Sequence, residues 1–328
     1  MDPTRTPQPK ITPRKLSYIF GVTGFSLSAL LFFPISEVFA GNWKLNQQFE
    51  LFYIDHINIF GYQLDIGSIN IRFYSVCILL GLLAGYSLAL YLGKLQHIVG
   101  TIIDRLFIGV VVFGLIGARL FFVLFNWSKF SDNPANIILQ LNKGGLALYG
   151  ALILSTAYLT LYCRKYKFNI YEFLDFLAPA VLLGQIIGRF GNFFNYEAYG
   201  PSTSIYWKMY VPLLANITEN LRQPYFHPTF LYEIIPNFFL LLVLLYNFTN
   251  WTQKRSGLVF AGYAVGYGVI RTFTEFFRLD ALKYQIFGII THPSQILSVG
   301  LAAFGIYIII RRNKIVYFKK TMTEIETQ

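Results

Sequence analysis

The sequence predicts an all-α, polytopic integral membrane protein, and three observations carry that prediction. Of 328 residues, 55% are hydrophobic and 13% charged, whereas a soluble domain carries charge on about a quarter of its residues. Mean hydropathy is +0.50. The apolar residues fall into runs of about 20, the length a helix needs to cross the hydrocarbon core, and most runs are separated by short polar turns. Aromatic residues at 18% exclude a disordered chain. Two cysteines without a C-x-x-C spacing exclude a disulfide scaffold and give no zinc motif. The net charge of +11 is dispersed between apolar runs, so it forms no nucleic-acid patch.

Taken in chain order, the runs at 17–40, 73–93, 103–126, 144–162, 171–195, 228–248, 257–277 and 294–310 predict spanning helices. Longer connections lie at 41–72, 127–143, 196–227 and 278–293. No internal repeat or low-complexity linker is visible. The segments 1–16, 94–102, 163–170, 249–256 and 311–328 together hold fifteen Lys and Arg, against seven in the four longer connections with Arg72 set aside. Cytoplasmic loops carry the excess of cations, so both chain ends are predicted to face the cytoplasm. The first run has two readings. Residues 5–15 are basic, 16–33 are apolar, and Val38-Phe39-Ala40 before Gly41 resembles a signal-peptidase site. The segment is either an uncleaved first helix or a cleavable signal, and the remaining topology is the same in both cases.

Ionisable residues inside spans cost about 2.5–3.5 kcal/mol on insertion scales, and here five different helices put charge at one depth. Arg72 lies at the outer start of its span. Arg119, Arg189 and Arg271 lie in the outer thirds of theirs, Glu233 just inside the outer end of another, and Glu275 one turn beyond Arg271. Separate snorkelling to the interface would explain any one arginine alone. Arginines gathered at headgroup depth instead predict a pocket for an anionic lipid headgroup, because the planar guanidinium suits phosphate.

The segment 184–200 is the most informative. Gly184 and Gly188 form a G-x-x-x-G pair, which predicts close helix packing. Arg189, Asn192 and Asn195 follow at intervals of three, so one helix face is expected to carry all of them. Glu197 and Gly200 mark the helix exit and a turn.

The run Gly188-Arg189-Phe190-Gly191-Asn192-Phe193-Phe194-Asn195-Tyr196-Glu197-x-Tyr199-Gly200 closely resembles the signature of the bacterial prolipoprotein diacylglyceryl transferases. Other blocks are similar to that family in the same order. They are Phe73-Tyr74 after Arg72, Gly114-x-x-Gly117-Ala118-Arg119-Leu120 with Val123-Leu124-Phe125, Gly144-Gly145-Leu146, and His227-Pro228-Thr229-x-Leu231-Tyr232-Glu233. Tyr267-x-x-x-Arg271-x-x-x-Glu275-Phe276-Phe277-Arg278 and Gln295-x-Leu297-Ser298 complete the series. The resemblance covers about residues 50–312. It implies seven family transmembrane helices, preceded by an extra amino-terminal hydrophobic segment within 1–49 and followed by a basic, polar tail at 313–328.

The resemblance further implies transfer of a diacylglyceryl group from phosphatidylglycerol to the lipobox cysteine of a prolipoprotein, forming a thioether and releasing glycerol phosphate. The substrate then supplies the nucleophile, and Cys77 and Cys163 read as apolar core thiols. No cofactor or metal is expected. The partners would be phosphatidylglycerol and lipobox signal peptides, and the location the bacterial inner membrane with the active site toward the outer leaflet. Arg189 and Arg271 are candidates to stabilise the departing phosphate. Asn192, Asn195, Glu197, Gly200, Tyr74, Arg119, Glu233 and Glu275 are candidates for the headgroup site, and Tyr267 sits one turn from Arg271. The proton acceptor for a thiol of ordinary pKa about 8.5 is open. His227 is one candidate, although His-Pro pairs also open helices, as His292-Pro293 does. Tyr149 stands where many family members have a histidine, and a tyrosine of ordinary pKa about 10 is a poor base without cationic neighbours. Other departures are Ser75 after Tyr74 and the connection at 201–227. The alternative reading, a transporter or flippase for an anionic lipid, uses the same buried charges. It is disfavoured because they gather at one depth and no inverted repeat is visible.

Overall fold

The computed structural model describes residues 50–59, 62–131, 133–134, 137, 144–211, 225–280, 284–286 and 289–326. The first hydrophobic segment, 17–40, and its two readings lie outside these residues. Among the described residues the chain forms seven α-helices: α1 Phe73–Leu95, α2 Gly100–Phe125, α3 Leu148–Lys165, α4 Ile170–Phe194, α5 Thr229–Lys254, α6 Leu258–Phe276 and α7 Pro293–Glu326. Three small antiparallel ribbons accompany them: β1 Glu50–Ile59 with β2 Tyr62–Arg72, β3 Met209–Tyr210 with β4 Tyr225–Phe226, and β5 Tyr284–Ile286 with β6 Ile289–Thr291. The architecture is an all-α, multi-pass membrane bundle. Five of its helices, α1, α2, α4, α5 and residues 293–311 of α7, are long and apolar enough to cross a membrane.

Each predicted run from 73 onward contains a helix, with three differences at the edges. Residues 50–59 and 62–72 form the antiparallel β1–β2 pair where a plain connection was expected, in keeping with the β-branched and aromatic residues of those strands. Helix α3 starts at Leu148 rather than 144, because Gly144 and Gly145 adopt φ of 87° and 83°, which a right-handed helix cannot accommodate. Helix α7 runs on to Glu326, well past the predicted end of its span at 310.

The helices sort into two groups. Helices α1, α4, α5, α6 and α7 pack successively, α1 on α4, α4 and α6 on α5, and α7 on α6. Helices α2 and α3 pack closely on each other and touch the first group lightly through α1 and α4. Small residues set the closest crossings. A Cβ on Gly81 would lie 2.7 Å from the Gly184 carbonyl oxygen, and one on Gly85 would lie 2.8 Å from that of Ala180. Gly188, by contrast, faces only the Ile78 side chain, so the expected G-x-x-x-G contact rests mainly on Gly184. The core between α4 and its neighbours holds Phe176, Leu182, Ile186, Leu244 and Phe248, all buried. Ile78, Leu79, Leu82 and Leu83 on α1 are exposed, as a lipid-facing surface requires.

One buried acid fixes the end of the bundle remote from the charged cluster. Asp175 on α4 is fully buried and accepts the backbone N–H groups of Gly257 (2.5 Å) and Phe260 (2.9 Å), capping α6 from a neighbouring helix.

Candidate active site

Helices α4 and α6 run toward the same end of the bundle and α5 runs away from it, so residues 189, 233 and 271 meet at one level. Their side chains form a continuous ion-pair chain. Arg189 Nη2 lies 2.8 Å from Glu233 Oε1, and Arg271 Nη1 lies 2.8 Å from Glu233 Oε2. Arg271 Nη2 lies 2.8 Å from Glu275 Oε2, one helical turn along α6. Arg278 lies 3.6 Å from the same Glu275 oxygen and pairs with Asp280 at 3.1 Å. The Ser294 hydroxyl at the start of α7 donates to Glu275 Oε1. Three guanidiniums thus meet three carboxylates. The pocket read from sequence as cationic is charge-balanced, because an uncompensated charge at this depth costs several kcal/mol.

The two arginines that share Glu233 differ in the donors they have left. Both terminal nitrogens of Arg271 are committed to carboxylates, and its side chain is 10% exposed. Arg189 is 20% exposed, and among the described residues its Nη1 makes only a long bond of 3.3 Å to Asn192 Oδ1. The Tyr267 hydroxyl also reaches Arg189. Arg189 is therefore the arginine of that pair with donors available to an incoming anion.

From Arg189 a polar path leads out of α4. Asn192 Nδ2 donates to Glu197 Oε2 at 3.2 Å, and Asn195 Nδ2 donates to Glu197 Oε1 at 3.3 Å. Glu197 follows the helix end, between Tyr196 and Ala198, both at φ of 55°. Tyr74 on α1 packs against Gly191, within electrostatic reach of Arg189 and Glu197. The exit loop is pinned by bonds from several segments. Ala198 N–H donates to Asp280 Oδ2, Thr229 Oγ1 donates to Ala198 O, and Gly200 N–H donates to His227 O. A Cβ on Gly200 would lie 2.7 Å from the Phe277 carbonyl oxygen. The close approach that Gly200 permits is thus to Phe277, His227 and Thr229 of this chain.

His227 Nδ1 lies 2.8 Å from the Tyr232 hydroxyl, which accepts a bond from Trp207 Nε1 at 3.2 Å. Arg119 and Tyr149 are placed apart, on the α2–α3 pair. Arg119 donates to the carbonyls of Ile137, Gly144 and Gly145 at 2.8–3.1 Å and lies over the Phe122 and Phe130 rings. Tyr149, in the first turn of α3, has its ring 6.4 Å from that of Phe121. The structure thus brings together Arg189, Asn192, Asn195, Glu197, Tyr74, Glu233, Tyr267, Arg271 and Glu275. It holds His227 at the rim of that group and leaves Arg119 and Tyr149 on another wall. Cys77 and Cys163 are buried free thiols. Among the described residues no group of His, Cys, Asp and Glu could hold a metal ion.

A model of the prolipoprotein diacylglyceryl transferase family matches residues 62–311. The chain belongs to this family. It is accordingly a transferase. The matched range takes in every motif block from Arg72 to Ser298. Curated relatives agree with it. The chain is 35% identical over 246 residues to a phosphatidylglycerol–prolipoprotein diacylglyceryl transferase of Synechococcus elongatus, spanning 74% of this chain and 83% of that protein. The protein of the same name from Gloeobacter violaceus is 34% identical over 252 residues, spanning 76% and 92%. That of Synechocystis is 36% identical over 246 residues, spanning 74% and 85%.

Sequence reasoning missed four participants. Asp280, in the loop after α6, and Ser294, in the first turn of α7, close the ion-pair chain through pairings that no local spacing announces. Gln185 and Asn237 lie one turn from Arg189 and Glu233 on the same helix faces, and that i, i+4 spacing was the signal available.

Proposed function

We propose that the chain transfers the diacylglyceryl group of phosphatidylglycerol to the cysteine thiol of a prolipoprotein, and that it does so at the α4–α5–α6 seam. Family membership and the names of the relatives support the reaction. The availability of Arg189 at the open side of an otherwise self-paired cluster is the observation that carries the site.

The chemistry is a displacement. The thiolate sulfur forms a bond to the glyceryl CH2 carbon, the bond from that carbon to the phosphate oxygen breaks, and the electron pair leaves with glycerol phosphate. Charge therefore develops on the bridging oxygen, and a donor fixed beside it stabilises the transition state more than the ground state. Arg189 supplies that donor. Glu233 and Arg271 hold its guanidinium in place, and Asn192 and Asn195 hold Glu197 beside the headgroup. Glu197 is the carboxylate of this group that bonds to amides and to no arginine among the described residues. With Tyr74 it lines the outer rim where thiol and lipid would meet. Arg119 and Tyr149 do not belong to this set in our reading.

We place the seam at the outer leaflet and read all seven helices as spans. The last turns of α1, α3 and α5 carry Lys94, Arg164 with Lys165, and Lys254, all at the end of the bundle away from Arg189. That distribution supports a cytoplasmic assignment for the opposite end.

A transfer assay tests the reading. Purified protein in phosphatidylglycerol vesicles with a lipobox peptide should give a diacylglyceryl–thioether adduct by mass spectrometry. Arg189→Ala should reduce the rate by about 10²–10³-fold, the loss typical for one stabilising donor. An unchanged rate in a folded Arg189→Ala protein would remove the seam from the chemistry.

A further inference from the structure

Asn237 on α5 is wholly buried, yet neither its Oδ1 nor its Nδ2 has a hydrogen-bond partner among the described residues. Buried amides are normally paired, and a membrane interior offers no solvent to replace a missing partner.

The helix register shows what surrounds it. Along the antiparallel α5–α6 contact, Glu233 meets Arg271, Leu240 lies against Gly266, and Leu244 lies against Gly262. Asn237 therefore falls at the level of Tyr267 and Gly268. Across the antiparallel α4–α5 contact Glu233 meets Arg189, so one turn deeper Asn237 falls at the level of Gln185. The Gln185 Oε1 accepts from the Tyr263 hydroxyl at 3.2 Å, and the Tyr263 and Tyr267 rings stack with centroids 5.5 Å apart. Beneath the arginine chain there is thus a second polar tier, built from the same three helices and displaced by one turn, or ~6 Å, toward the membrane interior.

We propose that this tier is a second lipid subsite, in which Asn237 Nδ2, with Gln185 beside it, donates to an ester carbonyl of the diacylglyceryl group. The proposal rests on the lipid reading of the arginine seam given above. In a diacyl phosphoglyceride the ester carbonyls lie on the tail side of the phosphate. A lipid whose phosphate meets Arg189 carries them into the next turn down. They accept hydrogen bonds and donate none, which suits an amide N–H. The carbon under attack lies between phosphate and esters, so two tiers grip it from both sides and limit its motion before displacement. Pro236 lacks the N–H that would bond the Tyr232 carbonyl, so α5 has one rung fewer between Glu233 and Asn237.

The test compares two probes in the full-length reconstituted protein: diester phosphatidylglycerol and its dialkyl ether analogue, which keeps the phosphate and the reacting carbon but has no ester carbonyl. Wild type should show a kcat/KM about tenfold lower for the ether lipid, the factor that one ~1.4 kcal/mol hydrogen bond represents. Asn237→Leu should lose that preference, falling to the ether value with the diester lipid and leaving the ether value unchanged. Gln185→Leu should reduce the preference in the same direction. A wild type that uses both lipids equally overturns the proposal without recourse to any variant. So does a variant that loses activity equally on both, because that is what a purely structural amide or one holding a fixed water would do. Failure of wild type with the diester lipid itself would instead refute the lipid reading of the seam, and the subsite with it.

Discussion

Two regions of the bundle bury arginine at similar depth and solve the problem in different ways. In the α4–α5–α6 seam, Arg189 and Arg271 face the carboxylates of Glu233 and Glu275 at 2.8 Å. In the α2–α3 pair, Arg119 is held by three backbone carbonyls and two aromatic rings. The first arrangement is made of side chains, which is why we propose above that a phosphate can add at Arg189. The second ties a guanidinium to the backbone of a loop, where Gly144 and Gly145 turn their carbonyls inward at positive φ. Releasing it would release the loop. In the reading proposed above, the same residue type at the same depth is an anion receptor in one place and a clamp in the other, and the partner chemistry separates the two roles.

The comparison breaks most visibly at Glu233, which joins both arginines of the seam and is 3% exposed. Glu233→Gln should destabilise the protein by about 3–5 kcal/mol, because two buried cations lose their shared counter-charge. A thermal unfolding midpoint in detergent that matches wild type would mean the chain of ion pairs does not hold the helices. A smaller effect is expected on the other wall. Arg119→Gln should cost about 1–3 kcal/mol through carbonyls left unpaired, with faster proteolytic cleavage near residues 137–145. Its KM for phosphatidylglycerol should stay near that of wild type. A rise of tenfold or more, worth about 1.4 kcal/mol of binding, would put Arg119 in the lipid site and erase the distinction.

Much of this was legible in the sequence, for identifiable reasons. Apolar runs of spanning length marked the helices, since nothing else satisfies a backbone in lipid. Arg189, Glu233, Arg271 and Glu275 stood out because charge inside a span is expensive. What the sequence did not convey was pairing. Glu233 read as one more polar group at headgroup depth, and only the crossing of three helices makes it the counter-ion of two arginines. Arg119 read the same as Arg189, because a backbone carbonyl leaves no trace in residue type. Gly200 read as a turn and a candidate for the headgroup site, and sequence alone did not show that its neighbours are Phe277, His227 and Thr229. Asn237 was hidden by a helix turn otherwise made of Ile, Pro and Phe.

The smallest effect belongs to the joint between the two ends of the seam. The Thr229 hydroxyl donates to the Ala198 carbonyl at 2.6 Å, linking the first residue of α5 to the loop that carries Glu197. Ala198 O also accepts the Phe230 backbone N–H at 3.1 Å, so removing the hydroxyl leaves that buried oxygen paired. Thr229→Val keeps the side-chain shape and should therefore cost only about 1 kcal/mol, the net worth of one hydrogen bond. Transfer activity should fall modestly, because the loop stays anchored by the bonds from Ala198 to Asp280 and from Gly200 to His227. A loss of activity as large as that of Arg189→Ala, without loss of stability, would mean that the Glu197 loop depends on this one hydroxyl. The exit of α4 would then be as sensitive to position as the arginine itself.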